Sequence, residues 1–392
     1  MKILIIVDSF WPAVAYGGPT TVALQHARAL VKAGYDVTVA TSNVDKLLPS
    51  PAFMSARSDV VDGVKVHYFP SSILRPIGIS PRWGALYSRT LIQWLKAHVN
   101  DFDIIHQHFS RSLLSLSAVR TIQAFHVPLV LQTHGMLDKR GGFRTVLDTA
   151  LTTRILERAS AVLVLQERER KLVQAIAPRA NTILLPNGID ASAVVVKWMQ
   201  PKSKPRALFI GRLHPRKRPQ DFIEMAKLLK ARDLNMEYRL IGPDEGMLSE
   251  VQAKINEYNL SSDAKWVGPL LHEEVYRELA QAQVYILPSV DEPFPMSVLE
   301  ALAVGVPTVV TTNTGISDWL SAYSAAEVVP PRCPEALANA VRKIVDDPAY
   351  ARQISELGQK FVTERLSLER IIEQLESIYR EVAYHERFAS KH

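Results

Sequence analysis

The sequence predicts an α/β protein built from two doubly wound parallel sheets that are covered by helices. Short apolar runs alternate along the chain with segments of helical periodicity, and this is the pattern of parallel strands joined by crossover helices. The chain has 392 residues and is 47% hydrophobic, and cores usually divide beyond about 250 to 300 residues. Two domains are therefore expected.

The predicted strands form two series. The first series comprises residues 2–7, 36–40, 64–69, 104–107, 128–132, 161–165 and 182–185, and the second comprises 206–210, 237–241, 264–267, 284–287 and 308–311. Residues 187–205 show neither period and indicate a linker. The predicted domains are thus 1–186 and 206–365, followed by a helical segment, 366–392. Ligands are expected beyond the carboxyl ends of the strands, in a cleft between the domains.

Two carboxylates, Glu292 and Glu300, lie eight residues apart around a proline-rich turn. Because Pro293 and Pro295 disfavour a helix through the preceding residue, a helix is predicted to begin near Pro295 or Met296. Glu300 then lies close to a helix N-terminus, which attracts anions, while a carboxylate accepts hydroxyl protons from a sugar or ribose. The alternative is that both glutamates merely cap and solvate the helix.

A basic loop, Gly211-Arg212-Leu213-His214-Pro215-Arg216-Lys217-Arg218-Pro219, follows the first strand of the second series. The planar guanidinium of Arg212 and the flexible ammonium of Lys217 suit a diphosphate that is bound and then leaves. The alternative is a loop that is simply solvated.

These motifs together resemble those of retaining glycosyltransferases of family 4. The match consists of Glu-x7-Glu with Pro-Phe after the first acid and Ala-Leu-Ala-x-Gly-x-Pro at 301–307, and of Gly-Arg-Leu-x-x-x-Lys at 211–217. The resemblance implies the GT-B architecture, in which two Rossmann-like domains face a central cleft. It also implies a UDP- or GDP-type sugar donor, with no cofactor and no metal.

The resemblance implies specific roles in the second domain. Arg212 and Lys217 would bind the diphosphate, Glu292 the sugar hydroxyls and Glu300 the ribose, in a donor site that also includes Phe294, Pro295 and Met296. Two departures are visible. Arg218 stands where the family commonly has glycine, and would either contact phosphate or face solvent. Thr314-Gly315 stands where the family often has Gly-Gly, so this loop's contact with the donor stays open.

In the first domain the resemblance points to an acceptor site. Gly17 and Gly18 precede a predicted helix and permit close approach to a ligand. His134 follows an apolar run where the family has a sugar-contacting histidine, and with Glu292, Arg212 and Lys217 it completes the candidate catalytic set. Asp101, Asp103, His106 and His108 superficially offer a metal site, but none is expected there, because the resemblance implies that Arg and Lys neutralise the diphosphate.

The remaining observations concern partners and location. A net charge of +6 indicates an anionic partner, but no nucleic-acid-binding motif accompanies it. The single Cys333 excludes an intramolecular disulfide, no signal-peptide pattern occurs, and no apolar run approaches about 20 residues. A cytoplasmic enzyme is expected, with peripheral contact at the inner face of the membrane.

Two segments suggest that membrane contact. One predicted helical face carries Trp83, Leu86, Tyr87, Thr90, Leu91, Trp94 and Leu95, and a cationic set comprises Lys139, Arg140, Arg144, Arg154 and Arg158. An ordinary core helix is the favoured interpretation of this face, and an interfacial surface is the alternative. A lipid-linked glycan intermediate of polysaccharide or glycolipid synthesis is the expected acceptor. The alternatives are a small soluble acceptor, a nucleotide-sugar epimerase or hydrolase of similar architecture, and a non-catalytic nucleotide-sugar sensor.

Overall fold

The computed structural model describes residues 1–13, 18–46, 52–74, 86–137, 151–199 and 204–389. The chain forms two compact units. The first unit comprises Met1–Gly188 and Leu368–His392, and the second unit comprises Ile189–Ser367. Each unit is built around one large sheet.

The sheet of the first unit has the order β12-β11-β10-β9-β1-β2-β6-β5, in which every neighbouring pair is parallel except β5 and β6. Its strands and those of two small hairpins are β1 Lys2–Val7, β2 Asp36–Ser42, β3 Val44–Lys46, β4 Ala52–Phe53, β5 Arg57–Val61, β6 Val64–Phe69, β7 Ser72–Ile73, β8 Leu86–Tyr87, β9 Ile104–His108, β10 Leu129–Gln132, β11 Ala161–Val164 and β12 Thr182–Leu184.

Helices cover both faces of this sheet. They comprise Gly18–Lys32, Arg89–His98, Leu113–Ile122, residues 151–157, Glu167–Ile176 and Leu368–Ala389. Because successive strand side chains point to opposite faces, Ile3 and Ile5 pack in one core cluster while Leu4 and Ile6 pack in the other. The helix Leu368–Ala389 contributes to the cluster of Ile3 and Ile5.

The sheet of the second unit is entirely parallel, with the order β15-β14-β13-β16-β17-β18. Its strands are β13 Arg206–Ile210, β14 Glu237–Ile241, β15 Ala264–Gly268, β16 Val284–Leu287, β17 Thr308–Thr311 and β18 Glu327–Val329. Its helices are Pro219–Lys230, Leu248–Glu257, His272–Gln281, Met296–Val304, Ser317–Ala322, Pro334–Asp346 and Pro348–Arg365. Both units are therefore doubly wound, as the alternating pattern predicts.

Edge strands are where the structure differs most from the predicted strands. β5 and β18 have no predicted counterpart. β5 is mostly exposed and lies at a sheet edge, and β18 is short and partly exposed. Neither carries the continuous apolar run that identifies a strand buried on both faces.

The segment 187–205, which was expected to be a linker, belongs to the second unit from Ile189 onward. The Ile189 N–H donates to the carbonyl of Leu366 at 2.9 Å. The indole Nε1 of Trp198 donates to the carbonyl of Ala282 at 2.7 Å. Irregular backbone without a period is thus held by hydrogen bonds that the sequence pattern does not reveal.

The helical face expected over residues 83–95 is only partly helical. Residues Leu86–Tyr87 form β8, and the helix begins at Arg89. Leu91 and Leu95 are fully buried, and Trp94 packs against the same core cluster. The membrane-facing interpretation is therefore wrong for these residues, which are core.

The remaining residues of the membrane hypothesis are either exposed or outside the described ranges. Trp83, Lys139, Arg140 and Arg144 lie outside the described residues, whereas Arg154 and Arg158 are exposed. Among the helices that the structure describes, none has the length and apolar character of a membrane span.

Candidate active site

The basic loop of the second unit begins where β13 ends, and a second loop fixes its backbone. The Gly211 N–H donates to the carbonyl of Ile241 at 2.9 Å. Gly242 follows with φ +136°, and a Cβ at this position would meet the Gly211 carbonyl oxygen at 2.2 Å. Only glycine permits this close approach. Sequence reasoning missed Gly242, although a glycine directly after a predicted strand was the available signal.

Arg212 lies on the exposed side of this loop. Its Nη1 contacts Oε1 and Oε2 of Glu245 at 2.8 and 2.9 Å, and its side chain is 50% exposed. Exposed ion pairs contribute about 0 to 1 kcal/mol. The guanidinium is therefore available to another anion at little energetic cost.

Lys217 and Glu292, both predicted from the sequence, are in direct contact. The Lys217 Nζ lies 2.6 Å from Glu292 Oε2, and the two side chains are only 13% and 15% exposed. Their loops are also joined through the backbone, because the Val290 N–H donates to the carbonyl of Arg216 at 2.7 Å. The fold thus brings a cation and a carboxylate together from distant parts of the sequence.

Arg218 has a carboxylate partner that neither of the expected alternatives included. Its guanidinium forms two hydrogen bonds, of 2.9 and 2.6 Å, with the carboxylate of Asp221, whose side chain is 1% exposed. The backbone of Arg218 has φ +54°, the left-handed region that glycine favours. This conformation explains why glycine would suit the position, while the arginine here stabilises the start of the helix Pro219–Lys230.

The helix that carries Glu300 begins at Met296, which confirms the prediction, and Pro295 is its N-cap residue. Phe294 is 7% exposed, and its ring lies edge-on to Trp319 at 6.5 Å. Phe294 and Pro295 are therefore buried, whereas Met296 is partly exposed. The helix ends at Gly305 with φ +93°.

Glu300 lies one turn inside this helix, and its side chain is 16% exposed. Burial raises the pKa of its carboxyl to about 7. The Nδ1 atom of His272 is 3.9 Å from Glu300 Oε1, but burial lowers the pKa of His272. The pair is therefore not a strong ion pair near neutral pH, and Glu300 titrates in that range.

The Thr314-Gly315 loop lies against the backbone of Glu292. The Gly315 N–H donates to the Glu292 carbonyl at 2.8 Å, and Thr314 pairs with Glu292 in an isolated bridge. This loop therefore neighbours the first acid of the motif.

In the first unit, His134 lies two residues beyond the end of β10. It is 7% exposed, and its Nε2 is 2.7 Å from Nδ1 of His108. Burial, and then the neighbouring His26, lower the pKa of His134 to about 3. The ring is therefore neutral at pH 7, where it acts as a hydrogen-bonding group rather than as a cation.

The glycine pair is only partly described. Gly17 lies outside the described residues, and Gly18 is the first residue of the helix Gly18–Lys32. A Cβ on Gly18 would meet no atom within 4 Å. No described neighbour requires glycine at this position, so its expected role in ligand approach stays a prediction.

Asp8 is a site candidate that sequence reasoning missed, at the carboxyl end of β1. Its carboxylate accepts hydrogen bonds from Ser110 Oγ at 2.6 Å and Ser112 Oγ at 3.0 Å. Burial raises the pKa of Asp8 to about 6. An acid directly after a buried first strand was the available signal.

Within the described ranges, one group of three side chains could hold a metal ion: His26, His106 and His108. Their ligand nitrogens lie within 4.8 Å of one another, whereas tetrahedral zinc separates two imidazole nitrogens by about 3.3 Å. Asp101 instead contacts His98 at 2.9 Å, and Asp103 accepts the Lys2 N–H at 2.7 Å. Neither aspartate belongs to the group of three histidines.

Two protein families match consecutive parts of this chain. A family described as "Glycosyltransferase Family 4" matches residues 16–193, and one described as "Glycosyl transferases group 1" matches residues 194–361. Glycogen synthase of Mycobacterium tuberculosis is 25% identical over 97% of this chain and 94% of its own length. D-inositol 3-phosphate glycosyltransferase of Corynebacterium diphtheriae is 23% identical, with coverage of 95% and 93%.

Solved structures share the fold over almost the whole chain. Sucrose-phosphate synthase of Thermosynechococcus elongatus has a TM-score of 0.74 at 21% identity, covering 97% of this chain and 98% of its own. Anabaena HepE in complex with UDP has a TM-score of 0.77 at 17% identity, covering 97% and 100%. The structures show that the chain has the GT-B fold. The family matches show that it belongs to the group 1 glycosyltransferases.

Proposed function

We propose that this glycosyltransferase moves a hexose from a UDP- or GDP-type sugar to a hydroxyl group of a glycan, with retention of anomeric configuration. The contact between Lys217 and Glu292 carries the proposal, because it puts a cation suited to phosphate 2.6 Å from a carboxylate suited to sugar hydroxyls. A phosphoryl group and its attached sugar require these two kinds of group side by side.

In this proposal the second unit binds the donor. Arg212 and Lys217 contact the diphosphate, Glu292 accepts hydrogen bonds from the transferred sugar, and Glu300 accepts them from the ribose. Met296 is partly exposed at the start of the helix and would contact the donor directly. The buried Phe294 and Pro295 would instead support this loop from beneath.

The proposed reaction needs no carboxylate nucleophile. The acceptor oxygen attacks the anomeric carbon from the face that the diphosphate leaves. The bond between this carbon and the leaving oxygen breaks with its electron pair going to the diphosphate, and a phosphate oxygen takes the acceptor proton. Arg212 and Lys217 stabilise the charge that develops on the leaving group. Because they supply this positive charge, turnover is expected to survive EDTA.

The acceptor is proposed to bind the first unit near Gly17, Gly18 and His134. We take it to be a glycan intermediate carried on a lipid diphosphate, since the net charge of +6 favours an anionic partner. His134 would contact a sugar hydroxyl as a neutral imidazole, in keeping with the burial that lowers its pKa.

A thermal-shift screen against nucleotide sugars tests the donor, because a ligand that binds the native state raises Tm by mass action. The donor found in this way is then incubated with lipid-linked and with soluble glycans, and the product is analysed by NMR. An α-linked product from an α-linked donor supports the proposal. An inverted linkage, or free sugar or an epimerised nucleotide sugar formed equally without acceptor, refutes it.

A further inference from the structure

The loop that carries His134 has two consecutive residues in the left-handed region. His134 has φ +51° and Gly135 has φ +69°. A residue other than glycine is uncommon there and persists only where its surroundings determine it strongly. Two buried side chains, Glu169 and His108, are the groups that do so.

Glu169 holds the residues on both sides of His134, through a side chain on one side and the backbone on the other. The side chain lies in the first turn of the helix Glu167–Ile176 and is buried. Its Oε1 accepts a hydrogen bond from Thr133 Oγ1 at 2.5 Å and another from the Gly135 N–H. Its Oε2 accepts from the Leu165 N–H at 2.6 Å. Burial raises the pKa of the Glu169 carboxyl, while these three hydrogen bonds lower it by stabilising the ionised form.

His108 holds the ring of His134. The two rings are stacked, with centroids 4.9 Å apart and planes 12° apart, and Nδ1 of His108 lies 2.7 Å from Nε2 of His134. In a pair of neutral imidazoles one nitrogen of this contact donates and the other accepts. The tautomer of one ring therefore sets that of the other.

His108 is itself part of a stack of rings. It lies 4.8 Å from the ring of His106, at 17° between planes, and Nδ1 of His106 is 2.6 Å from the hydroxyl oxygen of Tyr379. His134, His108, His106 and Tyr379 are all buried. His108 therefore has little room to turn away from His134.

We propose that Glu169 and His108 are positioning residues that hold His134 in one backbone conformation and one tautomer, which leaves its Nδ1 as the ring nitrogen that meets the sugar. This inference rests on the proposed function for the statement that His134 contacts a sugar. The clamp itself, Glu169 on the backbone and His108 on the ring, stands on the geometry alone.

The first test does not depend on turnover. In protein labelled with ¹⁵N-histidine, imidazole NMR is expected to show His134 in a single neutral tautomer, assigned by comparison with His134→Ala. His108→Leu, which keeps an apolar side chain in the stack but removes the nitrogen, is expected to give mixed tautomers. Mixed tautomers in the wild type, or an unchanged spectrum of His134 in His108→Leu, would overturn the proposal.

The second test is kinetic. His108→Leu and Glu169→Gln are each expected to lower kcat by about 10- to 100-fold, the scale of a misplaced reacting group, while the Kd of the bare nucleoside diphosphate stays unchanged. His108→Asn, whose amide lies near the position of Nδ1, is expected to recover most of the loss. Tyr379→Phe is the matched control, since it removes a buried hydrogen bond of the same stack without touching His134.

A double-mutant cycle separates positioning from a general loss of stability. In the His134→Ala background, His108→Leu is expected to cause no further loss of kcat, because coupled residues are non-additive. Losses of kcat that add independently in the double mutant would overturn the clamp. A loss of kcat in Tyr379→Phe as large as that in His108→Leu would also overturn it. Transfer that is unchanged in His134→Ala would refute the contact of His134 with a sugar, and with it this inference, while the proposed donor site of the second unit would stand. A wild-type protein that transfers no sugar would sink the proposed function and leave the NMR test to decide the clamp.

Discussion

The first prediction concerns Glu300. Its ionised carboxylate is expected to lower the stability of the fold and to strengthen binding of the donor. Burial raises its pKa from 4.5 to about 7. The folded state therefore holds this proton more tightly than the unfolded chain, and the ionised group costs stability as pH rises from about 4.5 to about 7. A difference of about 2.5 pH units corresponds to about 3 kcal/mol. This is an upper limit, since the side chain keeps 16% of its surface exposed.

Glu300→Gln is therefore expected to be more stable than the wild type at pH 8, by up to about 3 kcal/mol, and equally stable near pH 4.5. Urea denaturation at both pH values measures this difference. His272, 3.9 Å away, does not offset the effect near neutral pH, because burial lowers its pKa. A variant that is no more stable than the wild type at pH 8 would contradict the reasoning.

Donor binding is expected to depend on pH in the opposite sense. In the proposed function the ribose hydroxyls donate to the ionised carboxylate, so the affinity of the wild type for its donor should fall about tenfold between pH 8 and pH 6. The intact nucleotide sugar is the proper ligand, because its diphosphate has no terminal group that titrates near pH 7. Calorimetry on Glu300→Gln should show weaker binding without this dependence. An identical pH profile in both proteins would refute the assigned role.

Three further predictions concern the second unit. Arg212→Ala and Lys217→Ala should each cost about 2 to 4 kcal/mol in transition-state stabilisation, measured as kcat/KM. Lys217→Arg should not restore the loss. Lys360→Ala, which removes an exposed cation, should leave kcat/KM unchanged. Wild-type rates in Arg212→Ala or Lys217→Ala would refute their assignment to the diphosphate. Glu292→Ala should chiefly weaken binding of the intact donor in calorimetry, with a smaller effect on the bare nucleoside diphosphate. Equal losses on both ligands would contradict its contact with the sugar. Gly242→Ala should destabilise the protein by about 3 kcal/mol in urea denaturation, because its Cβ would lie 2.2 Å from a carbonyl oxygen; an unchanged midpoint would mean that the two loops can separate.

The sequence was sufficient for the central strands and for the helix that carries Glu300. Strands such as Arg206–Ile210 and Val284–Leu287 have the predicted bounds because they are buried on both faces and carry continuous apolar runs. Met296 begins its helix because two prolines leave little choice of start. These outcomes depend on local chemistry, which a sequence shows directly.

Contacts between distant segments could not be predicted in the same way. His26 of the helix Gly18–Lys32 lies near His106 and His108 of β9 only in the folded chain, and no spacing in the sequence predicts this. The Arg218 pairing with Asp221 is different, because a separation of three residues at a helix start was visible. The resemblance to the family suggested a phosphate contact for Arg218, whereas its partner in the structure is the nearby Asp221.

The two ion pairs of the basic loop differ in burial, and therefore in how each would respond when the proposed donor binds. Arg212 is half exposed, and its pairing with Glu245 exchanges readily for a phosphate oxygen. Lys217 and Glu292 are largely buried, and separating them would leave a desolvated charge on each side. An ammonium has three donors, so Lys217 is able to keep Glu292 while it binds phosphate. In the proposed function, Glu292 then needs no rearrangement to meet the sugar, and the charge that stabilises the leaving group is in position before the donor binds.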